Sequence, residues 1–162
     1  MAAGATYVSI ASQTLSSAAA SVTFSSISGA YTDLVLIING TLSTQDTIGI
    51  QFNGDTGNNY SATRLNGDGS TIESGRWSNQ PLGYFGNLDT TNSTASLNIM
   101  NYSNATTYKT SLMRNSTPAY QVYANVILWR STAAITSFLL KPISGYNFAS
   151  GTTLSLYGIA AA

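Results

Sequence analysis

Apolar and polar residues along this chain alternate with a period of two far more often than they recur at helical spacing. Thr6-Tyr7-Val8-Ser9-Ile10 places Val8 and Ile10 on one face and Tyr7 and Ser9 on the other. Ser21-Val22-Thr23-Phe24 repeats the pattern. Leu34-Val35-Leu36-Ile37-Ile38 is apolar at every position, which predicts a central strand covered on both faces. Further strands are predicted over residues 47–52, 60–65, 96–100, 107–113, 120–129, 135–140 and 153–159. Turn chemistry separates them: Ser28-Gly29, Asn39-Gly40, Asn53-Gly54, Asn66-Gly67-Asp68-Gly69, Pro81 and Ser144-Gly145. The two Asn-Gly-Asp turns read as successive hairpin tips, because both Asn and Gly tolerate positive φ.

About ten short strands at this spacing predict an all-β fold, a single antiparallel β-sandwich of jelly-roll type spanning residues 1–162 as one domain. The Ala-rich stretch 16–20 is too short to hold a helix alone and reads as a loop. Residues 67–92 break the alternation. They carry Trp77, Pro81, Tyr84 and Phe85 among Gly, Ser and Asn, and predict a long loop pinned by aromatics.

Composition narrows the function. Charged residues make up 7% of the chain, with Lys+Arg 6 balanced by Asp+Glu 6; roughly 25% is usual. No strong field draws the chain to nucleic acid or to an acidic membrane surface, so neither is an expected partner. Near-zero net charge protects a free monomer poorly against self-association, and a homo-oligomer is the expectation that follows. Disorder does not fit a chain that is 43% hydrophobic with 10 tyrosines. The start, Met1-Ala2-Ala3-Gly4-Ala5, lacks the basic and apolar regions of a signal peptide, and no apolar run approaches a membrane span. Synthesis in the cytoplasm is therefore expected.

Candidate chemistry is sparse. There is no Cys and no His, which removes thiolates, the commonest general base and the usual metal ligand. Asp55-Thr56-Gly57 matches the aspartic-protease triplet, but that chemistry needs two carboxylates sharing a proton, and this one is flanked by Asn-rich turn sequence. A glycosidase pair would have to combine Glu73, the sole glutamate, with an aspartate, and no motif supports it. Alternating oxygens at Asn53, Asp55, Gly57 and Asn59 resemble a calcium loop with too few carboxylates. The expectation is a protein without catalytic residues, metal or cofactor. Aromatics stack on sugars without needing charge. Trp77, Tyr84 and Phe85 are accordingly the candidate contacts for a glycan or a protein partner. Strands carrying Tyr7, Val8 and Ile10 at one end of the chain and Leu154, Leu156 and Tyr157 at the other are candidates for pairing, within the subunit or across subunits.

Three stretches carry a resemblance: Tyr31-Thr32-Asp33-Leu34-Val35-Leu36, the run from Ile50-Gln51-Phe52-Asn53-Gly54-Asp55 through Tyr60-Ser61, and Leu65-Asn66-Gly67-Asp68-Gly69. With the ending Thr153-Leu154-Ser155-Leu156-Tyr157-Gly158-Ile159, they resemble small virion structural proteins of tailed bacteriophages. The resemblance implies a β-sandwich virion component. A capsid decoration or cement protein bound to the major capsid protein or to other virion proteins is the first expectation. A tail-fibre or tail-appendage module that recognises a host-surface glycan is the second. It brings no catalytic residue with it.

Overall fold

The computed structural model describes residues 6–117 and 120–160; the Met1 to Ala5 start lies outside the described residues. These hold twelve strands and no helix. Eight strands form a wide antiparallel sheet in the order β1-β12-β3-β8-β9-β10-β5-β6. They are β1 Tyr7–Thr14, β12 Thr153–Ile159, β3 Asp33–Gly40, β8 Ser93–Met100, β9 Lys109–Thr117, β10 Gln121–Trp129, β5 Tyr60–Gly67 and β6 Ile72–Gln80. Four strands, in the order β2-β11-β4-β7, form a narrow antiparallel sheet against it. These are β2 Val22–Phe24, β11 Phe138–Pro142, β4 Asp46–Phe52 and β7 Gly83–Leu88. The fold is an antiparallel β-sandwich of jelly-roll type.

Inward positions at period two supply the core. Leu34, Leu36 and Ile38 of β3, Leu97 and Ile99 of β8, and Leu154 and Leu156 of β12 face Ile48, Ile50 and Phe52 of β4 and Leu140 of β11, all fully buried. One end is filled by aromatics. Phe52, Tyr60 and Trp129 pack with centroids 5.5–6.3 Å apart, worth about 0.5–1.5 kcal/mol per pair beyond area burial. The Tyr60 hydroxyl accepts the Phe52 amide at 2.8 Å and donates to the Asp55 carbonyl at 3.2 Å, so the buried phenol is satisfied.

Several expectations are met and several are corrected. Stretch 16–20 is a loop, anchored by an isolated bridge from Ala19 to Phe148. β3 is central, but its second face is lined only by neighbouring side chains; Val35 is buried there and Ile37 half-buried. The Asn53-Gly54 turn has positive φ at both residues (51° and 70°) and closes on an Asp55 amide to Phe52 carbonyl bond of 2.9 Å. It is not a hairpin tip: it carries the chain from β4 in one sheet to β5 in the other. Asn66-Gly67-Asp68 does open a hairpin, since Gly67 pairs with Ile72, and Asp68 closes it by accepting the Ser70 and Thr71 amides.

The predicted loop 67–92 is also corrected, because it contains β6 and β7. Trp77 therefore sits on a strand, as do Tyr84 and Phe85, and Phe85 is fully buried in the core. The terminal strands pair with each other inside one chain, Tyr7 opposite Ile159 and Thr14 opposite Thr153. β12 is held on its other side by β3, so Leu154, Leu156 and Tyr157 offer no free strand edge to a second subunit. Of these two strands β1 alone keeps an open edge; Tyr7 is exposed, while Val8 and Ile10 are half-buried.

Candidate functional site

The two sheets differ in width, and that difference makes a cleft. β7 is the last strand of the narrow sheet and lies beneath β9 and β10. β5 and β6 continue the wide sheet beyond it. Inward-facing side chains of this overhang have no opposing strand to bury them, and their chemistry changes accordingly. Along β5 the inward positions run Tyr60, Ala62, Arg64, Asn66, from core aromatic to cation to amide.

β7 reaches this edge with carbonyls that no strand pairs. Asn125 of β10 donates its Nδ2 to the Tyr84 and Phe85 carbonyls at 3.3 and 3.4 Å, and Asn115 of β9 donates to the Asn87 carbonyl. Two asparagines thus peg the edge strand in place of a further strand. The arrangement leaves a deficit. Asn115 Oδ1 and Asn125 Oδ1 are buried without a donor, as is Asn66 Oδ1. An unsatisfied buried polar atom costs about 1–3 kcal/mol. Gly86 makes room for the close approach: its φ is +149°, and a Cβ there would run into the Met113 side chain.

A cleft of about 150 Å³ opens between the overhang and β7, lined by Arg64, Trp77, Tyr84, Asn87, Asn125 and Thr47, with Gly86 and Ile143 at its side. Its polar wall is fixed: Thr47 Oγ1 donates to Asn87 Oδ1 at 2.7 Å, and Asn87 Nδ2 donates to the Tyr123 hydroxyl at 2.9 Å. Arg64 lies between two rings, its Cζ 5.0 Å from the Trp77 centroid and 5.7 Å from that of Tyr123. Its Nε is buried with no acceptor, and among the described residues the guanidinium has no ion pair. Burial raises the Tyr123 phenol above its ordinary value, against the opposing pull of the Arg64 cation. Trp77 stands edge-to-face with Tyr84 at 5.2 Å. Gly75 is what admits its indole, since a Cβ at that position would meet the ring at 2.9 Å.

The outer face of the wide sheet is the second notable surface. β10 turns Val122, Ala124, Val126 and Leu128 outward and Tyr123, Asn125, Ile127 and Trp129 inward. Val122 and Val126 are 60% and 44% exposed, with Leu65 (55%), Ile72 (83%) and Leu112 (43%) on the same face. Arg114 lies between this patch and a trough floored by Val35 and Ile37 and walled by Tyr7 and Tyr157.

Of the aromatics expected to contact a ligand, the structure brings Trp77 and Tyr84 together and withdraws Phe85 into the core. Tyr60 and Tyr102 are fully buried, whereas Tyr108, Tyr120 and Tyr146 are exposed. Arg64, Asn87, Asn125 and Thr47 were not singled out by sequence. The available signal was Arg64 itself, a cation at the inward phase of an alternating strand. The calcium-like oxygens are already engaged: Asp55 accepts from Gly57 N–H (2.8 Å), Asn59 Nδ2 (3.0 Å) and Trp129 Nε1 (2.7 Å), and Asn53 Oδ1 accepts the Thr136 and Ser137 amides. Among the described residues no group of three His, Cys, Asp or Glu side chains could hold a metal ion.

No protein-family model and no curated protein matches the sequence. Among solved structures the chain is similar to galectin LEC-6 of Caenorhabditis elegans, at 7% identity and a TM-score of 0.39, covering 93% of this chain and 96% of that one. It is also similar to CG-16, a homodimeric agglutinin from chicken liver, at 8% identity and a TM-score of 0.39, covering 84% and 98%. A human SPRY domain matches at 9% identity and a TM-score of 0.34, covering 99% and 95%. The likeness is one of layered β architecture.

Proposed function

We propose that this chain is a non-enzymatic structural subunit of a tailed-phage virion, a decoration or cement protein that docks on the assembled shell through the outer face of the wide sheet. One observation carries the reading: β10 turns its apolar row to solvent and its Asn and Tyr inward. A strand with that phase leaves an exposed apolar band that a neighbour must cover. The sequence resemblance supplies the kind of neighbour, the major capsid protein or another virion protein. The low charge agrees with a surface that is largely covered in use. A stable contact needs about 800 Å² per partner. Binding only the closed shell would stabilise that shell by linkage. A homo-oligomer, a trimer by analogy with phage decoration proteins and fibres, would present several such faces at once, and the site of action is the virion after assembly in the host cytoplasm.

The cleft favours a second reading, a tail-appendage module that binds a host-surface glycan at Trp77 and Tyr84. Cosedimentation with purified heads and tails kept as separate fractions decides between them. Stoichiometric binding to heads, with greater resistance of the shell to heat, supports the decoration role. Binding confined to tails or host cells transfers the assignment to the cleft, and binding to neither removes both.

A further inference from the structure

We infer that the cleft between the β5–β6 overhang and β7 binds a single acidic pyranose, a uronic- or sialic-acid-type sugar whose carboxylate meets Arg64. The inference rests on the glycan reading of the cleft and names its ligand class.

The chemistry follows from what the cleft leaves unanswered. Arg64 is held by aromatic rings rather than by a carboxylate, its Nε has no acceptor, and no hydrogen bond from its Nη atoms to the chain is present among the described residues. Glu73, the other charged residue turned inward on β6, has Oε2 accepting from Asn66 Nδ2 at 3.2 Å and forms no ion pair with Arg64. A planar guanidinium with free donors fits a carboxylate in the fork geometry. A bare anion would leave the rest of the cleft unused. Asn125 is 2% exposed and lines the same space with its Nδ2 committed to the β7 carbonyls, while Thr47 and Asn87 give the cleft a polar wall suited to sugar hydroxyls. Trp77 and Tyr84 add apolar walls suited to the C–H faces of a pyranose. The volume of about 150 Å³ is below the usual drug-sized range of roughly 300–1,000 Å³, which fits one terminal ring and not a chain threaded through.

The test is a titration of the full chain followed at the Trp77 indole N–H by NMR, where Trp129 serves as an internal control. The probes are methyl glucuronide, the methyl glycoside of N-acetylneuraminic acid, methyl glucoside and sodium acetate. The expected result is binding of at least one acidic glycoside at least tenfold tighter than methyl glucoside or acetate, with Arg64→Gln erasing the margin and Arg64→Lys retaining part of it. Unchanged Trp129 resonances and melting temperatures establish that both variants fold. If methyl glucoside binds equally well and Arg64→Gln changes nothing, the acidic class is overturned while the glycan reading stands. Acetate binding as tightly as the glycosides overturns the saccharide and leaves an anion site. If no probe moves the Trp77 signal and a glycan array shows no hit, the glycan reading falls with the inference.

Discussion

Asp55 accepts hydrogen bonds from the Trp129 indole, the Asn59 amide and the Gly57 backbone, and so ties the β4–β5 crossing to the aromatic end of the core. Burial works against its charge, yet these three donors together hold the carboxyl below its ordinary value. A carboxylate with a depressed folded pKa stabilises above its unfolded value of 3.8, and that contribution is lost as pH falls through the folded value. Asp55→Asn should therefore cost about 1 kcal/mol at neutral pH in urea unfolding, and the difference from wild type should vanish in acid. Tyr60 gives the opposite dependence. Burial raises its phenol far above 10.0, so the fold keeps a proton that the unfolded chain releases. Its contribution is full below pH 10.0 and drains away as pH rises beyond it; Tyr60→Phe should flatten this alkaline loss while costing about 1–3 kcal/mol at neutral pH for the stranded Phe52 amide. Residues like these were half legible. The turn chemistry around Asp55 was visible in its Asn and Gly neighbours, but the Trp129 indole that fills its second oxygen lies 74 positions away in sequence. Arg64 was legible only as a misplaced charge, because no local pattern shows that the opposing sheet ends beneath it.

At the scale of elements, strands with clean alternation or unbroken apolar runs are legible in the sequence, although β1 and β9 each run four residues past the predicted end. β6 and β7 are not legible. β6 is an overhanging edge strand whose Ile72-Glu73-Ser74-Gly75-Arg76 stretch has little to bury, so the period-two signal is missing. β7 holds two glycines in six residues and a register shift between Ile48 and Gly49 of its partner β4, which breaks the alternation a reader looks for. The glycines, the bulge and the polar edge are the same features that open the cleft, so the least legible segment is also the candidate site. The Asn pegs make this testable. Asn125→Ala removes two donors to β7 and one unsatisfied oxygen, for a net loss of about 1 kcal/mol. Hydrogen exchange should accelerate first in the β4–β7 ladder, with β1–β12 unchanged. Uniform acceleration across both sheets would show that the pegs do not hold the edge.

For the whole molecule, the apolar face and the core make separate demands on β10. Val122→Lys with Val126→Lys alters only outward, exposed positions, so the melting temperature should stay close to wild type, a change within about 0.5 kcal/mol per site. Cosedimentation with heads should be lost. A double variant that still decorates shells would place the contact elsewhere on the molecule. The outward valine row also implies something about temperature. Contacts made by apolar surface weaken on cooling, because their driving force near room temperature is entropic. Arg114 borders the patch and Arg76, opposite Thr63 on β6, lies on the same face, but both sit beside the valine row rather than in it, so the contact is predominantly apolar. Under the proposed decoration role, shells decorated in the warm should therefore shed the subunit near freezing and recapture it on rewarming, and moderate salt should scarcely move the midpoint. A particle reinforced in this way would be sturdiest at the growth temperature of its host and weakest in cold water.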